Sequence, residues 1–372
     1  ALALRGGPAA QRVAQRAARP QLLLAEFERR GQDVGSGTDA ESVAAVALEP
    51  FTCGKYGCLD VRSMAACGCS QYCQEDGNCC PDYTAVCAPA RIQQGLGAWG
   101  GCPQGAAPPM PQVPGYSPVG EALRVKVLSY NPEWWHVIEQ LGGNSNSAAR
   151  LISQAGRTQP FDIIGFQEFY DPWWGLARPG YDASELLRDY AYVRGEPGGP
   201  VGTVIGFRNA SWSLLGKGQR FVAEDEEGPM YFGRRIALWA RLWHRQSGHT
   251  VFFMNHHGPL PVNSGGVCGG GVTAHNLAQV VVDNAAPGDA VIIVGDFNAD
   301  ASSQTVSQLD TVLHHTFSGI DHIFTNLGEE RVACRAALGN GGSDHDAINV
   351  VLDLPGADGG AAAGPADCSP GA

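Results

Sequence analysis

The stretch AVIIVGDFNAD, residues 290–300, decides how this chain of 372 residues is read. Ala290 to Val294 form an unbroken apolar run, as expected of a strand buried on both faces. The run leads directly into Gly295-Asp296-Phe297-Asn298, so an Asp-x-Asn pair falls at the carboxyl end of that strand. A second short string, Ser343-Asp344-His345, follows a Gly-rich turn nearer the C-terminus. Carboxylate and amide oxygens suit a hard divalent cation, and an Asp-His pair can handle a proton. Together they equip a chain for metal-assisted phosphoester cleavage.

Working outward, other short apolar runs end in polar residues of the same kinds. VKVLSYN ends at Asn131, FDIIGFQE at Glu168 and HTVFFMNHH at His257, while GIDHIF carries Asp321 at its start. VGTVIGF, IALWARLWH (preceded by Arg235) and AINVVLDL complete a series of strands alternating with helical or loop segments from residue 123 onward. Singly, each polar ending reads as a solvated side chain. Six of them in one order, on apolar strands, point to one site on the edge of a two-sheet sandwich. The expected fold class is α+β: a four-layer α/β sandwich of two packed mixed β-sheets flanked by helices, with a small disulfide-rich N-terminal module.

Composition agrees with a globular chain: 44% hydrophobic and 17% charged residues, with 50 Gly and 24 Pro signalling many loops. No apolar run is long enough to cross a bilayer as a helix. The net charge is −12. Residues 1–123 carry 9 basic and 11 acidic side chains and residues 124–372 carry 16 and 26, so the acidity (−10) sits in the larger part. That weakens non-specific nucleic-acid binding without excluding a nuclease, because a bound cation and local Arg offset the field. The expected organisation is an N-terminal segment at 1–50, partly helical or disordered, a Cys-dense module at 51–88, and a Gly/Pro-rich linker at 89–122. A catalytic domain at 123–355 and a loose tail at 356–372 follow. The six Arg within residues 1–30 read as a solvated lead-in or the remnant of a processed segment.

Eight of the twelve cysteines lie between 53 and 87. The order Cys53, Cys58, Cys67, Cys69, Cys73, Cys79, Cys80, Cys87, with its CxC, CC and DYxxxC spacings, resembles a somatomedin-B domain. So short a segment needs disulfides to fold, and eight cysteines leave 105 pairings open. Disulfides imply a secreted or luminal location. The sequon Asn209-Ala210-Ser211 is compatible with that and makes Asn209 a glycosylation candidate. The other four cysteines allow three pairings. The expected one joins Cys268 to Cys334, pinning the Gly-rich loop at 257–276, and Cys102 to Cys368, clamping linker to tail.

Residues 124–354 resemble the endonuclease/exonuclease/phosphatase superfamily, to which deoxyribonuclease I belongs. SYN, QE, NHH (often NTH in the family), GDFN, DHIF and SDH occur in the family's order. The resemblance implies that Asn131 and Glu168 hold the divalent metal, Mg²⁺ or else Ca²⁺ or Mn²⁺. Asp296 would activate the attacking water and Asn298 would bond the phosphate. It makes His345 a general acid or base oriented by Asp321, and Asp344 a metal or phosphate-site ligand. His257, rather than its neighbour His256, becomes the second site histidine, and Arg235 a phosphate contact. One departure is the absence of a carboxylate near Val201 to orient His257. His315 and His322 read as surface or packing residues, Asp346 as a solvent-side neighbour, and Trp134, Trp135, Trp173 and Trp174 as core edge or aromatic rim.

The expected function is a secreted or luminal metal-dependent phosphodiesterase of the deoxyribonuclease I type. A phosphoesterase of inositol phosphates, sphingomyelin or other small phosphodiesters is the alternative, and a non-catalytic adhesive protein a third. The partners expected are the phosphodiester substrate and a protein bound through the Cys-dense module.

Overall fold

The computed structural model describes residues 53, 67, 73, 79–83, 93–97, 101–134, 136–137, 148–169, 172–176, 183–196, 202–360, 362 and 364–369. The expectations for residues 1–50, for Cys58, Cys69, Cys87, Trp135 and Val201, and for the side chains of Trp173 and Trp174 lie outside them.

In chain order the strands are β1 (Gln93–Gln94), β2 (Leu123–Tyr130), β3 (Ile163–Gln167), β4 (Tyr190–Arg194), β5 (Thr203–Arg208), β6 (Trp212–Glu224) and β7 (Arg234–His244). They continue with β8 (Thr250–His257), β9 (Ala290–Asp296), β10 (His314–Phe317), β11 (Asp321–Thr325), β12 (Val332–Ala337) and β13 (Ile348–Leu354). The helices are α1 (Ala148–Ala155), α2 (Pro172–Leu176), α3 (Ser184–Asp189), α4 (Gly270–Asn284) and α5 (Gln304–Leu309). One sheet runs β12-β13-β2-β3-β5-β4 and the other β1-β6-β7-β8-β9-β11-β10. Both are mixed: β2–β3, β8–β9 and β1–β6 are parallel pairs among antiparallel neighbours.

Apolar side chains sort these elements into four layers. Val125, Val127, Ile163, Ile205, Ile236, Leu238, Phe253, Ile292, Val294 and Val350 fill the space between the sheets. The outer face of the six-stranded sheet (Leu128, Ile164, Phe166, Val204) packs on α1 and α3 through Ile152, Ala155, Leu186 and Leu187. The outer face of the other (Phe252, Met254, Val291, Ile293, Phe324) packs on α4 and α5 through Leu277, Val281, Val306 and Leu309. β3, β8 and β9 are buried on both faces, which is why their sequences are apolar without alternation. The sandwich of two packed mixed sheets flanked by helices is therefore the architecture observed.

Each sheet holds a strand–helix–strand unit, β2-α1-β3 and β8-α4-β9, and the carboxyl ends of these parallel strands lie at one edge. Asn131, Glu168, His257 and Asp296 occupy those ends. A buried amide fastens the two units. Asn255 on β8 donates through Nδ2 to the carbonyls of Phe166 (2.7 Å) and Val204 (3.0 Å), and its Oδ1 accepts from Gln167 Nε2 (2.7 Å). Gly165 makes room for this contact, because a Cβ there would meet Val294 Cγ2 at 2.4 Å.

The segments expected as a linker and a loose tail are both fastened to the sandwich. Gln93–Gln94 adds a parallel edge strand to β6, and Asn276 bonds both backbone groups of Leu96. Tyr116 reaches His249 and the carbonyl of Pro355, and Val113 is part of the core under α4. At the other end, Arg124 donates to the Gly364 carbonyl and Thr158 bonds Asp367.

The disulfides differ from the pairing expected. Cys102 joins Cys268 (Cα–Cα 5.2 Å) and Cys334 joins Cys368 (6.0 Å). The reason is topological. Cys334 lies on β12, which pairs with β13, and Asn349 of β13 donates to the Cys368 carbonyl, so the tail returns beside it. Cys268 precedes α4 on the other sheet, and its Sγ lies 3.3 Å from the Gly97 carbonyl oxygen, which places it against the linker. In the N-terminal module Cys67–Cys80 and Cys73–Cys79 are bonded, and Tyr83 packs among the cysteines. Peptide mapping under non-reducing conditions is expected to recover Cys102–Cys268 and Cys334–Cys368. Cys268→Ser should lower stability by about 2–4 kcal/mol in chemical denaturation; an unchanged midpoint would contradict that clamp.

Candidate active site

β8, β9 and β11 lie side by side, and their register places His257 opposite Asp296 and Asp296 opposite Asp321. Neighbours at one register present their side chains on the same face. His345, in the turn before β13, completes the group from the other sheet. Its Nδ1 donates to Asp321 Oδ2 at 2.8 Å and its Nε2 lies 3.5 Å from Asp296 Oδ2. His257 Nε2 lies 3.5 Å from the same Asp296 oxygen and 3.9 Å from Glu168 Oε1. Asn131 Nδ2 spans Asp296 Oδ2 (3.1 Å) and Glu168 Oε1 (3.3 Å). All the strand-end residues thus converge around Asp296.

The backbone at these positions is special. Glu133, Glu168 and Asn298 have φ of 44°, 45° and 48°, in the left-handed region that few non-Gly residues adopt. Such strain persists only where surrounding bonds enforce it, and it concentrates at functional sites. Here the Asn298 N–H donates to Asp296 Oδ1, and its Nδ2 to the Gly258 carbonyl. The Glu133 N–H donates to Asn131 Oδ1. Ser343 Oγ donates to the Asn131 carbonyl and accepts from the His345 N–H, so the hydroxyl of SDH ties the histidine turn to the end of β2.

Electrostatics follow from burial. The Asp296 carboxyl is pushed up to about 7, first by burial and then by the neighbouring Asp321, against the pull of His345, the Asn298 N–H and Asn131. Asp321 is raised as well, chiefly by burial. Burial works against a charged His345, yet the Asp321 hydrogen bond and the charges of Asp296, Asp321 and Asp344 together raise it to about 10. The group is therefore short of positive charge. Asp321 Oδ1 is buried without a hydrogen bond among the described residues, and Asp296, Asp321 and His345 offer ligand atoms within 4.8 Å of one another. An oxygen-rich, partly orphaned acidic set of this kind fits a hard divalent cation. Glu168 and Asn131, both beside Asp296, are the side chains that would hold it. The cation would supply charge neutralisation for a phosphoryl group.

Other expected residues stand as follows. Asp344 is two-thirds exposed at the rim, its Oδ1 3.8 Å from His345 Nε2. Arg235 is buried and locked to Asp225 by two bonds, Nε to Oδ1 (2.8 Å) and Nη2 to Oδ2 (3.0 Å). Its Nη1 is buried without a hydrogen bond among the described residues. Asn209 sits in the turn between β5 and β6, its Nδ2 on the Arg188 carbonyl. Sequence reading missed Ser343, Glu133 and Asn263. Asn263 donates its N–H to the Asn298 carbonyl and exchanges two bonds with Asp300. It read His322 as a surface or packing residue. His322 and His256 are fully buried, and burial lowers both to about 4, so both are neutral.

Two outcomes are expected. A carboxyl whose folded value exceeds its unfolded one loses stability as pH rises from the unfolded value, near 3.8, through about 7 for Asp296. His345 acts in the same sense at higher pH. A divalent cation competes with that proton, so Mg²⁺ should raise the thermal midpoint more at about pH 8 than at about pH 5; equal gains at both would contradict the assignment. Arg235→Ala strands the buried Asp225 carboxylate and should cost about 3–5 kcal/mol, measured by urea unfolding, whereas a near-neutral result would show that Asp225 does not need its partner.

The endonuclease/exonuclease/phosphatase family model matches residues 139–345, and the somatomedin B domain model matches residues 51–90. No curated protein sequence matches the chain. Similar solved structures include an endonuclease/exonuclease/phosphatase family protein from Bacteroides thetaiotaomicron (20% identity, 63% of this chain and 96% of that one, TM-score 0.48). A mannosyl-6-phosphatase from the same organism (20%, 61% and 99%, TM-score 0.47) and D. rerio TDP2 with a single-strand DNA product (18%, 61% and 98%, TM-score 0.44) are also similar. With its matching family model covering more than half of its length, the chain belongs to the endonuclease/exonuclease/phosphatase family and is a metal-dependent phosphoric ester hydrolase.

Proposed function

We propose that the protein is a secreted or luminal phosphodiesterase, a nuclease of the deoxyribonuclease I type. The observation that carries this is the pair of imidazoles, His257 and His345, each 3.5 Å from the same oxygen of Asp296. Hydrolysis of a phosphodiester needs one group to take a proton from water and another to protonate the departing alkoxide. His345, kept as the imidazolium by Asp321, is the donor. Asp296, beside His257, takes the proton from the attacking water. Asn298 retains a second amide N–H for the phosphate oxygens, and Arg235, whose buried Nη1 has no hydrogen bond among the described residues, is the cation we assign to the phosphate. Glu168 and Asn131 hold the cation, Mg²⁺ or else Ca²⁺ or Mn²⁺. The bonded cysteines of the N-terminal module and the two long-range disulfides support an oxidising compartment.

A second reading, hydrolysis of small or lipid phosphodiesters, has an observation of its own. The loops that follow β6 and β8 expose Met230, Tyr231, Phe232 and Val262. They are tied together by the Glu226 N–H to Leu260 carbonyl bond, and the second begins one residue after His257. An apolar rim beside acidic Glu226 and Glu227 suits a neutral or zwitterionic group better than a polyanion. Purified protein with Mg²⁺, Ca²⁺ or Mn²⁺ is to be assayed on DNA, RNA, bis-p-nitrophenyl phosphate, inositol phosphates and sphingomyelin. Nucleic acid should be cleaved, and Asp296→Ala should reduce the rate roughly 10²–10⁴-fold. Turnover of sphingomyelin or inositol phosphates alone would favour the second reading, and wild type indistinguishable from Asp296→Ala on every substrate would refute both.

A further inference from the structure

Behind the catalytic register lies a second one. His256 and His322 both stand opposite Gly295, one residue out of step with the line of His257, Asp296 and Asp321. Consecutive strand residues face opposite ways, so these two imidazoles point to the α4/α5 side of the sheet. There they flank the buried Phe297 ring edge-on, at centroid distances of 5.4 Å and 5.3 Å and interplanar angles of 80° in both cases. Gly295 is what lets β8 approach, since a Cβ would meet the His256 carbonyl oxygen at 1.9 Å.

Each ring is also anchored. His256 Nδ1 donates to the Ile236 carbonyl on β7 (2.9 Å). His322 Nε2 donates to the Ala299 carbonyl (2.6 Å), one residue beyond Asn298. Because a carbonyl only accepts, the His322 proton is on Nε2, and the neutral ring offers a lone pair at Nδ1. His315 Nε2 donates to that lone pair at 2.8 Å. His315 is in turn held by stacking on Phe324 (4.3 Å) and by Asp310, 3.3 Å from its Nδ1. A chain of bonds therefore runs from Asp310 through two imidazoles to the backbone of the GDFN turn.

We infer that His256, Phe297 and His322 form a layer of positioning residues, with His315 fixing the tautomer of His322. Every member adjoins a site residue: His256 precedes His257, Phe297 lies between Asp296 and Asn298, and His322 follows Asp321. The layer acts through those neighbours and touches no substrate. His322 has the most leverage, because one ring holds both the start of β11, which carries Asp321, and the turn after β9, which carries Asn298.

The inference rests on the phosphoesterase reading of the site, and the test separates the two. His322→Phe keeps a ring against Phe297 and removes both hydrogen bonds. His322→Gln keeps a donor that reaches the Ala299 carbonyl. Steady-state kinetics on bis-p-nitrophenyl phosphate should show kcat falling about tenfold in His322→Phe, the lower end of what loss of a supporting bond behind a site residue costs. KM should hold within about twofold, and His322→Gln should recover most of the rate. In parallel, the His345 Nδ1 proton, bonded to Asp321, is followed by NMR as a downfield resonance. It should shift or broaden in His322→Phe and return toward its wild-type position in His322→Gln. A His322→Phe protein with wild-type kcat and an unmoved resonance would overturn the inference. So would equal losses in both variants that track thermal stability alone. If wild type turns over nothing, the functional reading fails, and the resonance still decides the positioning role.

Discussion

Everything at the active edge depends on one buried amide, Asn255. It lies between two sheets that meet mainly through apolar side chains, which fix distance but not register. Its three hydrogen bonds go to β3 and β5, two of them to backbone carbonyls and one to Gln167, the residue before Glu168. A polar group in such a place is costly unless satisfied, with a penalty of about 1–3 kcal/mol for each orphaned partner. The sheets are therefore held in the one alignment that satisfies it. That alignment brings the ends of β2 and β3 against the ends of β8 and β9, so Asn131 and Glu168 meet Asp296 and His257.

Crowding three carboxyls and two imidazoles at that edge sets the chemistry. Burial and the neighbouring Asp321 raise Asp296, burial with Asp344 and Asp346 raises Asp321, and the carboxyls around His345 favour its charged form. The left-handed backbone of Asn298 is held by the bond from its N–H to Asp296 Oδ1. A site so built favours a cation, which supplies the positive charge that the folded chain leaves short and that an incoming phosphoryl group needs.

The acidic sandwich is also stapled at its margins. The Cys102–Cys268 bond joins the segment leading out of the N-terminal module to the loop that borders the site, and Cys334–Cys368 folds the tail onto an edge strand. A segment rich in Gly and Pro reads as a free linker when viewed alone. Here its backbone groups find partners on β6 and α4, so it forms part of the domain surface.

The apolar runs ending in Asn131, Glu168, His257 and Asp296 were legible because strands buried on both faces cannot be written any other way, and the order of polar endings told which family they serve. Strand alternation allowed only one of His256 and His257 to face the site, and the family resemblance, not the local sequence, pointed to His257. Local sequence could not settle the pairing of four distant cysteines, which depends on where a tail of Gly and Ala comes to rest. Nor could it show that Arg235 is locked to Asp225, or that His322 bonds the Ala299 carbonyl. Those facts are set by contacts between separate strands and turns, and only the closed sandwich brings their partners within reach.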